Sequence, residues 1–168
     1  LLSKGLAYET DGTIKFKMDR TPILIPDLVV GEVRRELTDR EQADPDFIIV
    51  RSDGQPVFHF VNVVDDLEMG ITHVIRGEDH LSNTAKHIAL FRALGAEPPV
   101  NYVYELFLDQ HGEKISKTKG NGISVEQWLS YAAPESLSLY NFQKPRTAKK
   151  LYFDVIPKAV DEYLTYVE

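Results

Sequence analysis

Residues 72–95, THVIRGEDHLSNTAKHIALFRALG, decide the fold predicted for this chain of 168 residues. The apolar run at 72–75 is typical of a buried strand. After a short polar loop, apolar residues recur every three or four positions on one face of a predicted helix: Leu81, Ala85, Ile88, Phe91 and Leu94. Gly95 is the expected end of this helix, and Ser82 or Asn83 its expected N-cap. Strand, loop and helix in this order predict an α/β domain with a parallel sheet.

The flanking segments extend this alternation of strands and helices. Strands are predicted at 47–50, 57–64 and 102–108, and helices at 125–131 and from residue 134 onward. Residues 57–64, VFHFVNVV, are apolar on both faces, which favours a central strand ended by Asp65 and Asp66. Residues 32–46 carry nine charges in fifteen positions and are predicted to be a solvated connection. The opening residues depart from the alternation and predict an inserted or appended subdomain.

Composition excludes several classes of protein. The chain has 26 acidic and 19 basic residues and a formal net charge of −7, which excludes a uniformly basic surface for nucleic acid. The absence of cysteine excludes a disulfide framework and a thiolate zinc site, and the histidine spacing predicts no metal site. No apolar run reaches the roughly 20 residues of a membrane span, and no signal peptide is recognised. We therefore expect a cytoplasmic protein without a membrane partner.

The first candidate site is the loop at 76–80, RGEDH, between the predicted strand and helix. Ligands of open α/β sheets bind where strands end and helices begin, and a helix N-terminus attracts anions. Gly77 leaves room for a ligand beside the backbone, and Arg76 could clamp a carboxylate or phosphate through two hydrogen bonds. The alternative is a surface pair of Arg76 with Glu78 and a helix cap formed by Asp79.

The second candidate site is the segment at 112–122, GEKISKTKGNG, which places three lysines and two hydroxyls in a glycine-flanked loop. Mobile lysines suit the phosphates of a nucleotide, because their ammonium groups can follow the charge that builds on a departing pyrophosphate. The spacing differs from that of a Walker A loop. The alternative is an exposed basic hairpin.

A third segment, QKPRTAKK at 143–150, is the best candidate for contact with an RNA backbone in an otherwise acidic chain. Its bases are Lys144, Arg146, Lys149 and Lys150. The alternative is the solvated start of a helix.

Several stretches resemble a known family. DFIIVRSDG at 46–54, VVDD at 63–66, ITHVIRGEDHLSNT at 71–84 and ALFRALG at 89–95 resemble glutamyl-tRNA synthetases. KISKT at 114–118 resembles the Lys-x-Ser-Lys signature loop of class I aminoacyl-tRNA synthetases. The resemblance implies an α/β fold in which residues 46–130 are the second half of the class I Rossmann-like catalytic domain. Residues 1–45 would belong to the connective, acceptor-binding subdomain and residues 131–168 to the start of a helical stem-contact region.

The resemblance also implies an activity: activation of glutamate with ATP, accompanied by Mg²⁺, and its transfer to tRNA. The residues that match the family's positions are Phe58, Asn62 and Arg76 for the amino acid, Gly77, Glu78, Asp79 and His80 for ATP, and Lys114, Ser116 and Lys117 as the catalytic loop that steadies the triphosphate. Adenylate formation is an in-line attack by a carboxylate on phosphorus, which needs alignment and positive charge more than acid–base chemistry. The two loops are therefore expected to converge on one pocket.

The chain departs from the glutamyl pattern in ways that leave alternatives open. Phe58 stands where the family usually has tyrosine, and Thr118 where it usually has arginine. After residue 101, the stretches ELFL, KISKTKGNG, APESLSLY and VDEYL resemble class I lysyl-tRNA synthetases, so lysine is the alternative substrate. The family's amino-terminal His-Ile-Gly-His signature is not among these residues. The missing half of the catalytic domain is thus an expected partner, and the isolated chain is expected to be nearly inactive or a non-catalytic module that binds tRNA or a protein.

Overall fold

The computed structural model describes residues 1–104 and 106–167, and the side chains of Arg40, Glu78 and residues 102–104 lie outside the description. The chain forms two compact units, Leu1–Val103 and Tyr104–Glu168. Within the described residues, no helix is both long enough and apolar enough to cross a membrane.

The first unit contains two sheets and two longer helices. Its strands are β1 (Ala7–Thr10), β2 (Thr13–Phe16), β3 (Ile23–Asp27), β4 (Gly31–Arg35), β5 (Phe47–Val50), β6 (His73–Gly77) and β7 (Val100–Tyr104). Its helices are α1 (Asp39–Ala43), α2 (Phe58–Glu68) and α3 (Leu81–Leu94), with a short 3₁₀ turn at Glu78–His80. One sheet has the order β1-β2-β5 and the other β4-β3-β7-β6.

The four-stranded sheet is mixed rather than wholly parallel. Strand β3 pairs parallel with β7 and antiparallel with β4, so the prediction of a parallel sheet holds for one neighbour and is wrong for the other. Alternate side chains of β3, Ile23, Ile25 and Asp27, are buried. Ile23 and Ile25 join Ile88 and other α3 residues in one core. Residues 32–46, predicted to be a solvated connection, have no buried side chain among those described, and the segment also contains α1 and β4, which pairs with β3.

The predicted strand at 57–64 is a helix. Val63 is fully buried and Phe60 and Leu67 pack against the same core, at spacings of three and four residues that only a helix brings to one face. Phe58 is 67% exposed, so the apolar residues that suggested a two-faced strand are not all buried. Asp65 and Asp66 lie inside the helix and do not end the element.

Helix α3 confirms the periodic prediction. It ends at Leu94, and Gly95 adopts the left-handed conformation of a C-cap with φ 85°. The cap prediction at the other end is wrong, because His80 occupies the N-cap position and Ser82 and Asn83 lie within the first turn. The side-chain hydroxyl of Thr84 donates to the carbonyl of His80 at 3.3 Å.

The second unit is built around Trp128. Its elements are β8 (Phe107–Leu108), α4 (Val125–Leu129), α5 (Pro134–Phe142), β9 (Lys149–Lys150) and α6 (Val155–Val167). Trp128 is 1% exposed, packs with Ile156 and Ala159, and donates from Nε1 to the hydroxyl of Ser136 at 3.1 Å. Ser124 and Gln127 form a capping box that begins α4. The predicted helices are confirmed here. The predicted strand at 102–108 corresponds to parts of β7 and β8, and Glu105 lies outside the described residues.

Candidate functional site

A cleft beside Arg76 is the first candidate site. Strand β6 alternates, with Val74 and Arg76 lining the cleft while His73 and Ile75 are exposed on the other side. Helices α2 and α3 and strand β7 supply the remaining charged and polar walls. These side chains are Asp66 on α2, Thr84 and His87 on α3, and Asn101 on β7.

Arg76 is a half-buried cation with an unused donor. Its Nε is buried and, among the described residues, has no hydrogen-bond partner. Burial lowers the pKa of the guanidinium, and the carboxylate of Asp66 acts in the opposite direction. Burial also raises the pKa of Asp66, while Arg76 lowers it. A guanidinium keeps its charge at any physiological pH, so the cleft presents a cationic N–H that an anion could satisfy.

A pair of histidines lies beside this cation. Nδ1 of His59 on α2 and Nε2 of His87 on α3 are 3.1 Å apart, so one ring donates a hydrogen bond to the other. His87 is 5% exposed, and burial, helped by the positive charge of Arg76, lowers its pKa to about 4. His87 is therefore neutral at pH 7. Its Nδ1 is buried and has no hydrogen-bond partner in the described part of the chain.

Of the residues predicted to bind the amino acid, Arg76 lines this cleft, and Phe58 and Asn62 lie on α2. Asn62 is half-buried on α2, between His59 and Asp66 at spacings of three and four residues, so the three share a helix face. Phe58 begins the same helix, and the centroid of its ring lies 5.6 Å from that of His59 and 6.4 Å from that of His87. The sequence reasoning missed the histidine pair, because nothing local links positions 28 residues apart.

The predicted ATP-side loop is the turn that connects β6 to α3. Gly77 is the last residue of β6, and residues 78–80 form the 3₁₀ turn before the helix. The carboxylate of Asp79 is 4.0 Å from Nε2 of His80, and both side chains reach solvent. The side chain of Glu78 lies outside the description, so its predicted contact with ATP stays a prediction.

The lysine loop is the second candidate site, and two turns of backbone define it. The carboxylate Oδ1 of Asp109 accepts the backbone N–H groups of His111 and Glu113, both at 2.9 Å. The carbonyl of Ser116 accepts the N–H groups of Lys119 at 3.1 Å and Gly120 at 3.0 Å. The first turn shapes the entry to the loop, and the second closes its tip.

The amide of Asn121 joins these two turns. Its Nδ2 donates to Oδ2 of Asp109 at 2.8 Å and to the carbonyl of Lys114 at 3.3 Å. Its Oδ1 accepts the N–H of Ser116 at 3.0 Å. The hydrogen bond from Asn121 is the main reason that the pKa of Asp109 is lowered. Sequence reasoning named neither Asp109 nor Asn121 as a site residue.

The lysine side chains extend from this hydrogen-bonded backbone. Lys114 and Lys117 are exposed, and Nζ of Lys119 forms an exposed ion pair with Glu113 at 2.9 Å. The segment that leaves the loop passes close to its start, because a Cβ built on Gly122 would lie 2.6 Å from the side chain of Ile115. The loop therefore exposes positively charged side chains on a backbone that is held in place by hydrogen bonds within the loop.

The predicted RNA-binding bases are not equivalent. Lys149 is half-buried over the ring of Tyr140, and its ammonium donates to the carbonyls of Tyr140 and Asn141, the latter at 2.6 Å. Burial lowers the pKa of Lys149, and its contacts cap the end of α5. Nζ of Lys150 donates to the carbonyl of Gln110 at 3.2 Å. Lys144 and Arg146 are exposed.

The Arg76 cleft belongs to the first unit and the lysine loop to the second. Each site is defined within its own unit. The prediction that both loops share one pocket therefore stays a prediction.

Comparison with known proteins defines the class. The model of the family "tRNA synthetases class I (K)" matches residues 67–168, more than half of the chain. The chain belongs to this family of class I tRNA synthetases, and its mixed α/β fold resembles solved structures of that class.

Individual relatives carry two different names. A lysine–tRNA ligase of Roseobacter denitrificans is 55% identical over 95 residues, which cover 56% of this chain and 18% of that protein. A glutamate–tRNA ligase of Methylacidiphilum infernorum is 50% identical over 129 residues, 77% of this chain and 28% of that protein. A glutamate–tRNA ligase of Elizabethkingia meningosepticum, solved in complex with its amino acid, matches with a TM-score of 0.54 and 35% identity over 71% of this chain and 22% of that chain.

The chain thus spans less than a third of the length of these relatives.

Proposed function

We propose that this chain is part of a catalytic domain that activates glutamate with ATP and transfers it to tRNA. In this proposal residues 46–130 are the second half of the Rossmann-like domain, residues 1–45 contact the tRNA acceptor end, and residues 131–168 begin the stem-contact region. ATP would arrive with Mg²⁺, because this ion usually reaches such sites on the phosphates. The first half of the catalytic domain would complete the site.

The observation that carries the proposal is the unused Nε–H donor of Arg76. A buried N–H without a partner costs free energy that a bound acceptor recovers, and a carboxylate is the acceptor that fits guanidinium best. Because His87 is neutral at pH 7, it adds no second charge. The guanidinium of Arg76 therefore favours an amino acid with an anionic side chain.

Phosphate binding is assigned to the lysine loop. Lys114 and Lys117 are exposed point charges on a hydrogen-bonded backbone. This arrangement suits a triphosphate whose negative charge shifts as pyrophosphate leaves. The hydroxyl of Ser116 is proposed to contact the same phosphates. On the ATP side, Gly77, Glu78, Asp79 and His80 would contact the nucleotide from the turn between β6 and α3.

Binding of tRNA is assigned to Lys144 and Arg146, the exposed bases of the third segment. Lys150 is exposed and would contribute from the edge of this surface. Lys149 contributes least in this proposal, since its ammonium is bonded to the end of α5.

The alternative substrate is lysine. The relative from Roseobacter denitrificans is a lysine–tRNA ligase, and the family model that matches residues 67–168 has K, the one-letter symbol of lysine, in its description. A lysine site needs an anionic partner for the substrate's ammonium. Asp66 is the carboxylate that lines the cleft. Burial raises its pKa while Arg76 lowers it, and this interaction with Arg76 would compete with binding of the substrate's ammonium.

Titration calorimetry on the purified chain tests the choice. We expect glutamate to bind more tightly than lysine at pH 7, and Arg76→Met to abolish the preference because the guanidinium is lost. Arg92→Met removes an exposed arginine of α3 and is the matched control, for which binding should not change. Tighter binding of lysine would assign the chain to the alternative.

A second assay concerns catalysis by the isolated chain. Without the His-Ile-Gly-His signature, we expect negligible exchange of pyrophosphate into ATP with either amino acid. Clear glutamate-dependent exchange would contradict this expectation. Binding of tRNA without any binding of ATP or amino acid would instead support the non-catalytic module.

A further inference from the structure

We propose that Asn121 is a positioning residue that holds the lysine loop in the conformation in which it binds phosphate. The inference deepens the proposed function and rests on it, because it assigns to Asn121 the preorganisation of the loop that is proposed to bind the triphosphate. Asn121 acts through the backbone of the loop and has no contact with the reactants in this proposal.

The side-chain amide of Asn121 bonds to three residues that are separate in sequence. Its three hydrogen bonds run to Asp109, Lys114 and Ser116, so one amide joins the entry of the loop to its tip. Both ends of the amide are used, one as donor and one as acceptor. A carboxylate would lose the donor and an aliphatic side chain would lose both, so the arrangement is specific for an amide.

Two of these residues are proposed to contact phosphate. Asn121 holds the carbonyl of Lys114 and the N–H of Ser116, and the carbonyl of Ser116 is held by Lys119 and Gly120. Both backbone polar groups of Ser116 are therefore bonded. The backbone direction at Lys117, the next residue, is set by these bonds.

Asp109, which accepts a hydrogen bond from Asn121, is itself held in place and anchors the amide. Asp109 is 5% exposed and is held by the backbone of His111 and Glu113 as well as by Asn121. The close approach of Gly122 to Ile115 brings Asn121 back to this anchor. A loop fixed before its ligand arrives loses less conformational entropy on binding, and its affinity is higher by that saving.

The test uses inorganic tripolyphosphate, the full chain, and nuclear magnetic resonance of the backbone amides at 115–121. We expect wild-type amides to shift on titration. Asn121→Ala should weaken the apparent affinity about tenfold, although every lysine remains. In the same variant the N–H of Ser116 should exchange faster with solvent, and the pKa of Asp109 should rise.

A charge-neutral swap separates positioning from folding. In Asp109→Asn combined with Asn121→Asp, the new amide at 109 can donate to the new carboxylate at 121, which can still accept the N–H of Ser116. The swap loses only the long hydrogen bond to the carbonyl of Lys114. We expect an affinity within about threefold of wild type. Gln110→Ala removes an exposed amide from the same turn and is the control, with unchanged affinity expected.

The outcomes distinguish the two proposals. Wild-type binding with equal affinity in Asn121→Ala, measured where circular dichroism shows an intact fold, would overturn the positioning role and leave the proposed function standing. A swap as weak as the alanine variant would also overturn it. Wild-type amides that do not respond to tripolyphosphate would overturn the phosphate role of the loop and the positioning role with it.

Discussion

The Arg76 cleft and the lysine loop solve the same problem, holding negative charge, in opposite ways. The cleft keeps one cation half-buried and leaves Arg76 Nε and His87 Nδ1 without hydrogen-bond partners, as far as the described residues extend. The loop exposes its lysines and satisfies the backbone beneath them through Asp109 and Asn121. The comparison teaches that a buried charge gains selectivity at a cost in desolvation, whereas an exposed charge depends on a rigid support.

The largest expected effect is on the support of the loop. Trp128→Ala should lower the free energy of unfolding of the second unit by about 3–5 kcal/mol, since a ring that is 1% exposed and its hydrogen bond to Ser136 are both lost. Amide exchange at 115–121 is the measurement. Leu129→Ala, at a position that is 46% exposed, is the control and should change exchange little. Equal effects of the two would show that the Trp128 core does not support the loop.

The next effect is a difference in acid sensitivity. The folded pKa of His87, about 4, lies below its usual value of about 6.5, so its contribution to stability is complete above pH 6.5 and is lost as pH falls toward 4. The loss should be on the order of 2 kcal/mol, and His87→Gln should remove most of this slope. His59, whose pKa burial also lowers, adds to the same window.

Asp109 should respond at lower pH. Its folded pKa is depressed, so its contribution is present above the usual carboxylate pKa of about 3.9 and is lost below it. Chemical denaturation of the wild-type chain at a series of pH values, followed by amide signals of each region, measures both windows. If the lysine loop lost stability at a higher pH than the Arg76 cleft, the expected order of acid sensitivity would be contradicted.

A smaller effect is expected for the cation itself. Arg76→Met removes a desolvated charge and should leave the free energy of unfolding unchanged or raise it by up to about 1 kcal/mol, while the preference for glutamate disappears. Urea denaturation and calorimetry on the same sample measure the two. Loss of stability together with loss of binding would indicate that Arg76 holds the fold rather than a ligand.

The smallest effect on stability is expected in the loop. Lys117→Met removes an exposed charge and should leave the urea midpoint unchanged, while it weakens tripolyphosphate binding a few-fold at low salt. The difference in affinity should shrink as salt is raised. A salt-independent loss would mean that Lys117 acts through the conformation of the loop.

The sequence predicted the elements whose pattern is local. Helix α3 follows from its apolar spacing and Gly95. The sequence pattern gave a wrong prediction at 57–64, where β-branched and aromatic residues suggested a strand. Burial of Val63 and exposure of Phe58 show that packing against the core, rather than residue type, decided the helix.

The candidate site was predictable only in part. Arg76, Gly77 and the lysines could be named from motifs, because motifs lie within a few residues. The contact between His59 and His87 joins two helices, and that between Asp109 and Asn121 crosses twelve positions. Such pairs follow from tertiary packing, which a single sequence does not display. The RNA contact named for Lys149 stays a prediction, and the bond of its ammonium to the end of α5 is a further contact that the sequence did not display.

One titration tests the central claim, that the cleft takes the carboxylate and the loop takes the phosphates. The chain is labelled with ¹⁵N, and glutamate, lysine and tripolyphosphate are added in separate experiments. We predict that glutamate shifts the Arg76 Nε–H signal and that tripolyphosphate shifts the amides at 115–121, whereas lysine shifts neither. A response of Arg76 to lysine but not to glutamate, or a loop that ignores tripolyphosphate, would contradict the claim.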